Sequence, residues 1–128
     1  MLKPKEPRKP RYLEDKKFLE ERREKLEIAL SECQKRRREA QAEIIVEELE
    51  PHDTTDISAI RQRQNFGVRN LEECRRTILL IKNALNAIER GNYGKCIDCG
   101  KWIPLKRLRA VLWASRCLPC QKEAESVN

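Results

Sequence analysis

The stretch Ile57-Ser-Ala-Ile60-Arg-Gln-Arg-Gln64-Asn-Phe-Gly67-Val-Arg-Asn-Leu71-Glu-Glu-Cys74-Arg-Arg-Thr-Ile78-Leu-Leu-Ile81-Lys-Asn-Ala-Leu85-Asn-Ala-Ile88-Glu-Arg-Gly91 decides the fold. Ile57, Ile60, Gln64, Gly67, Leu71, Cys74, Ile78, Ile81, Leu85 and Ile88 step alternately by three and four. Eight of these ten are apolar, counting Cys74; only Gln64 and Gly67 interrupt them. A narrow apolar stripe kept up at that spacing is the seam of a coiled coil, because it stays on one face of a helix. Gly91 then supplies a left-handed terminator. The spacing therefore predicts a helix from near Thr54–Asp56 to Gly91.

The stretch before it has the same character. From about Glu14 to Glu50 there is no Gly or Pro, and the residues are mostly strong helix formers. Tyr12, Leu19, Leu26, Cys33 and Ala40 recur every seventh residue, with Leu30 and Ile44 at the matching second position. Arg23 and Arg37 also fall on that second position, so this seam is less regular. Pro51 ends the helix, since it lacks an N–H and disfavours helical backbone at Glu50. Two long helices so closely connected fold back antiparallel. Each is roughly 50 Å long at 1.5 Å per residue, so the hairpin is expected to project. A turn centred near residue 53 or 54 pairs Leu19 with Ile88, Leu26 with Ile81, Cys33 with Cys74 and Ala40 with Gly67, like with like.

Composition limits what surrounds the hairpin. The chain has 128 residues, 38% charged and 5% aromatic, with a formal net charge of +7. That is too much charge and too little aromatic bulk for one well-filled globular core of this size. Mean hydropathy is −0.79, and no run approaches the roughly 18 apolar residues of a membrane span. The opening residues, Met1 to Arg11, have no apolar core and do not read as a secretory signal. The charge is polarised. Residues 1–11 carry +4, residues 57–91 carry +4 and residues 92–120 carry +5, whereas residues 12–51 carry −3 and residues 52–56 carry −2. We divide the chain into a disordered basic arm (1–11), a helical hairpin (12–91, its tip near 51–56) and a small head with a C-terminal helix (92–128). The fold class is mainly α: a long antiparallel helical hairpin (coiled coil) with a small four-cysteine head and a short C-terminal helix.

The head is defined by its cysteines. Cys96-x2-Cys99-x17-Cys117-x2-Cys120 gives two CxxC knuckles at the spacing of a structural zinc site. Two residues between ligands let one tight turn offer two sulfurs to a tetrahedral ion. Disulfides or a redox pair are the competing readings; they fit poorly with a chain lacking signs of secretion. A four-sulfur site is closed, so the single Zn2+ is structural, and some 30 residues could not bury enough core without it. Cys33 and Cys74 lack a CxxC context. They read as small apolar seam residues, or alternatively as a thiol pair able to oxidise.

The head motif is Tyr93-Gly94-x-Cys96-x-x-Cys99-Gly100, then Ile103-Pro104-x-x-Arg107-Leu108-x-Ala110, then Cys117-x-x-Cys120. In these residues the sequence resembles the DksA/TraR family of bacterial transcription factors. Asp53-Thr54-Thr55-Asp56 matches the family's Asp-x-x-Asp pair at the hairpin tip, with Asp56 lying 40 residues before Cys96. The resemblance implies a head docked on RNA polymerase through Arg107 and Leu108, and a coiled coil inserted into the secondary channel. The acidic tip, Asp53 and Asp56, then approaches the catalytic centre and modulates open-complex stability without sequence-specific DNA contact. It also implies a cytoplasmic monomer, with ppGpp as a candidate ligand at the interface. Val111 departs from the pattern, standing where many members carry a basic residue linked to the alarmone. Ser58 and the stretch Val111-Leu112-Trp113 are further departures. Trp102 and Trp113 are candidates for packing the head or for docking.

Blander readings stand beside these. Asp53 and Asp56 sit where a carboxylate caps a helix and complements its dipole. Lys35-Arg36-Arg37-Arg38 reads as a solvated face with Glu32 and Glu39 nearby. His52 has no assigned role. Lys101, Lys106, Arg107 and Arg109 suit a zinc-ribbon nucleic-acid binder, which is the alternative function and predicts salt-dependent DNA affinity. A general coiled-coil adaptor is a further alternative. Nothing in the sequence supports an enzyme, because it offers no open metal position, nucleophile–base pair or phosphate loop.

Overall fold

The computed structural model describes residues 8–49 and 57–126. Asp53, Asp56 and His52 therefore lie outside the described residues, as do residues 1–7 of the basic arm. The chain forms a 3-10 turn (Arg11–Leu13) and four helices: α1 (Lys16–Leu49), α2 (Ile57–Arg90), α3 (Leu105–Ala110) and α4 (Leu118–Ser126). Lys95 and Trp102 make an isolated antiparallel bridge. Among the described residues, no helix is long and apolar enough to cross a membrane.

The predicted helices are present; α1 starts two residues later than expected, and α2 ends at Gly91 as expected. α1 starts after Asp15, whose carbonyl accepts the Leu19 N–H and whose carboxylate accepts the Lys17 N–H at 3.0 Å. That is the geometry of an N-cap. Tyr12, which the heptad spacing makes the first seam residue, instead belongs to the 3-10 turn. α2 ends in a Schellman motif: Asn92 N–H bonds Ala87 O at 3.0 Å, Gly91 N–H bonds Ile88 O at 3.3 Å, and Gly91 has φ +79°. No atom would contact a Cβ at Gly91, so backbone strain alone sets the effect of a substitution there. Gly91→Ala is expected to destabilise by about 1–2 kcal/mol, read as a lower urea midpoint with an unchanged slope.

The molecule divides into two compact units. The first contains residues 1–27 and 80–128. There Leu26 and Ile81 are fully buried between α1 and α2, with Ala84 beside them. Arg23 reaches Glu89 at 3.5 Å. Leu13, Ile103 and Leu108 are fully buried, and Tyr93 nearly so. The second unit, residues 28–79, is the paired remainder of α1 and α2. Among its described residues, Cys33 and Ile78 are buried. The other seam positions Leu30, Arg37, Ala40, Ile44, Gly67, Leu71 and Cys74 are half-buried. A Cβ at Gly67 would lie 3.2 Å from the Ile44 side chain, so the helices approach closely at that level. The other described residues of the second unit are mostly exposed, which is the pattern of a two-helix coil with one narrow apolar face.

Candidate metal centre

The four sulfurs are gathered by two short turns. At the first knuckle, Cys96 N–H bonds Lys101 O at 2.8 Å and Gly100 N–H bonds Cys96 O at 3.1 Å. Ile103 N–H then bonds Gly94 O at 2.7 Å, closing the hairpin. Gly94 has φ +86°, and a Cβ there would lie 3.0 Å from Leu13 and 3.3 Å from Leu108. Both the conformation and the contact thus require glycine. The second knuckle is tied to the first by Ile97 N–H, which bonds Ser115 O at 3.0 Å. Cys117 then opens α4, its carbonyl accepting the Gln121 N–H at 2.9 Å.

Arginines fix the spacing between the knuckles. Arg116 Nε donates to Asp98 Oδ2 at 2.7 Å, linking the residue before Cys117 to the first turn. Arg107 Nε donates to the Arg116 carbonyl at 2.8 Å. Arg107 is half-buried and Leu108 fully buried, so both hold the head together. On α3 the exposed charged side chains are Lys106 and Arg109. Trp102 and Trp113 are half-buried, with the Lys95 ammonium over the Trp102 ring at 5.8 Å. Ile97 and Leu118, each the residue after the first cysteine of its knuckle, are largely exposed.

Cys96, Cys99, Cys117 and Cys120 bring their Sγ atoms within 4.8 Å of one another. A tetrahedral ion with Zn–S bonds of about 2.3 Å requires sulfurs roughly 3.8 Å apart. Cys99 and Cys117 Sγ are 3.7 Å apart. A disulfide would need about 2.05 Å, and all four thiols are free. The donor set therefore fits one structural zinc ion, with no position left open. Burial works to raise the Cys96 thiol. Backbone hydrogen bonds at Cys99, Cys117 and Asp98 outweigh it, and the group is drawn down to about 6. Cys120 is pushed well above the usual thiol range, first by its hydrogen bond with Cys117 and then by burial. A metal binding here displaces the protons these sulfurs share.

The zinc-finger model described as "Prokaryotic dksA/traR C4-type zinc finger" matches residues 91–126. The chain belongs to the DksA/TraR family. It is 35% identical over 111 residues to an uncharacterized protein of Aquifex aeolicus, covering 85% of this chain and 72% of that one. It is 32% identical over 73 residues to the RNA polymerase-binding transcription factor DksA of Escherichia coli. That alignment covers 57% of this chain and 48% of DksA, so it spans about half the length of this relative. The structure of transcription factor DksA2 from Pseudomonas aeruginosa matches with a TM-score of 0.75 at 25% identity, over 93% of this chain and 92% of that one. The DksA/TraR zinc finger thus follows a pair of long helices in this chain, as the family resemblance implied.

Three features of the head have no counterpart among the sequence expectations. Leu13, next to Tyr12, is the more deeply buried of the two. Arg22 is only 8% exposed. Its guanidinium donates to Leu108 O at 3.2 Å, hydrogen-bonds Tyr93 and stacks on the Phe18 ring at 4.9 Å. Among the described residues no carboxylate pairs with it, so carbonyl, phenol and ring satisfy a buried cation. The Asp98–Arg116 pair is the third. An arginine flanked by Glu21 and Arg23 in a charged helix carries no sequence signal of burial.

Proposed function

We propose that this protein is a cytoplasmic, non-enzymatic regulator that binds RNA polymerase and inserts its coiled coil into the secondary channel. The observation that carries this reading is the zinc-finger match at residues 91–126, immediately after two paired 34-residue helices. The identity to E. coli DksA and the likeness to DksA2 support it. Asp53 and Asp56 act at the tip, near the polymerase catalytic centre, and alter open-complex stability there. The head docks as a rigid body. Arg107 and Leu108 contribute by setting its shape, while Lys106, Arg109, Ile97 and Leu118 offer the exposed surface. The basic arm, residues 1–11, lies outside the docking core, and the protein acts as a monomer.

The test is a pull-down on core RNA polymerase with wild type and an Asp53→Asn/Asp56→Asn double variant. Both are expected to bind with comparable affinity. Only the wild type is expected to change open-complex lifetime at a sensitive promoter, because the variant keeps the head but loses the tip charge. Failure of both to bind polymerase, with tight binding to duplex DNA instead, would establish the zinc-ribbon alternative.

A further inference from the structure

The zinc site accounts for four of the six cysteines; the other two lie on the paired helices of the second unit. Cys33 on α1 is buried and Cys74 on α2 is half-buried, and both are free. Their relative position follows from the helix register. Ala40, Ile44, Arg63 and Gly67 line one groove, and a Cβ at Gly67 would lie 3.2 Å from Ile44. Seven residues toward the other end, about two turns along each helix, the same register sets Cys33 beside Cys74. The two thiols also interact electrostatically.

We propose that Cys33 and Cys74 are a modification site: a dithiol that closes reversibly to one disulfide across the helical pair. Helix axes packed about 8–10 Å apart, with Cα atoms on a radius of about 2.3 Å, bring facing Cα atoms to roughly 3.4–5.4 Å at closest. A disulfide takes a Cα separation of about 4.4–6.8 Å, so the bond forms without moving the helices far.

The oxidant class is a small-molecule disulfide. The half-exposed Cys74 meets it first, while Cys33 is buried and its thiol is raised by that burial. The Cys74 thiolate attacks one sulfur of the reagent, forming a mixed disulfide and expelling one thiolate. The Cys33 thiolate then attacks the Cys74 sulfur, forming the protein disulfide and expelling the second thiolate. The two cysteine protons end on the two expelled sulfurs. The protein loses two electrons, and the reagent is reduced to two thiols. Reduction by a dithiol reverses the step. In a reducing compartment such bonds are transient and regulatory rather than structural.

The test uses the full zinc-loaded chain treated with oxidised glutathione, then alkylated and mapped by mass spectrometry. The expected product is a monomer lighter by two hydrogen atoms, with the Cys33 and Cys74 peptides joined and zinc retained. Cys33→Ala and Cys74→Ala, checked for native helicity by circular dichroism, should each abolish the crosslink. The wild-type peptide map decides the matter if either variant fails to fold. Free Cys33 and Cys74 after oxidation would overturn the proposal. So would disulfides among Cys96, Cys99, Cys117 and Cys120 with zinc release, or a Cys74-linked dimer. None of these readouts depends on polymerase binding.

Discussion

Cys117→Ser is expected to abolish stoichiometric zinc binding and unfold residues 91–126. Cys117 is buried and its sulfur lies 3.7 Å from that of Cys99, so a hydroxyl in its place leaves three thiolates around an incomplete tetrahedron. Binding of a structural zinc contributes roughly 10–16 kcal/mol in small finger modules. That is comparable to the whole stability of an ordinary domain, about 5–15 kcal/mol. The module has little to set against the loss, because its own buried side chains beyond the cysteines are Tyr93, Ile103 and Leu108. The measurement is zinc content after dialysis, together with fluorescence of Trp102 and Trp113, which lie in the module. Their emission should shift red as the half-buried rings enter water. Cys33→Ala should leave both readouts unchanged. A Cys117→Ser protein that kept one equivalent of zinc and native fluorescence would refute the four-sulfur site.

Leu108→Ala should have the next largest effect, about 2–5 kcal/mol of lost stability. Leu108 is fully buried, its side chain packs where Gly94 leaves no room for a Cβ, and its carbonyl receives the Arg22 guanidinium. Truncation opens a cavity between Gly94 of the first knuckle and Leu13 of the 3-10 turn. Urea unfolding at saturating zinc measures the loss. Lys106→Ala and Arg109→Ala, on the exposed side of the same helix, should stay within about 0.5 kcal/mol of wild type. If Leu108→Ala unfolded no more readily than these, the packing of the head against α1 would not be what stabilises it.

These two residues also mark what is legible in the sequence. The cysteine spacing identifies the ligands because metal geometry dictates a short-range pattern. The three-four stripe of α2 identifies the coil because it repeats over many turns. The stripe of α1 is harder to read, since Arg23 and Arg37 occupy seam positions; Arg23 sits there by pairing with Glu89. Leu108 belongs to a recognisable motif, yet the motif does not say whether a residue faces a partner or its own core. Leu108 is buried within this chain beside Leu13, and its carbonyl takes the Arg22 guanidinium, from residues 95 and 86 positions away that no local pattern could point to. Arg22 is invisible in the sequence because its partners are a carbonyl, a phenol and a ring, none of which leaves a charge pattern. α1 starts two residues later than expected, because Asp15 reads as one more charged residue until its carboxylate is seen capping the helix.

The contacts of the N-terminal segment have a consequence for how the molecule is made. Lys9 Nζ donates to Gly91 O, Tyr12 to Ile103 O and Arg22 to Leu108 O, across 82, 91 and 86 residues. Leu13 is buried against Gly94, which the chain supplies just as late. On the ribosome, the helical pair can form as soon as α2 emerges. The segment around Leu13 must wait until the zinc module has been synthesised and metallated. Closure of this long loop is then the slow step, so newly made chains in zinc-poor cells would accumulate with paired helices and the segment around Leu13 open to proteases.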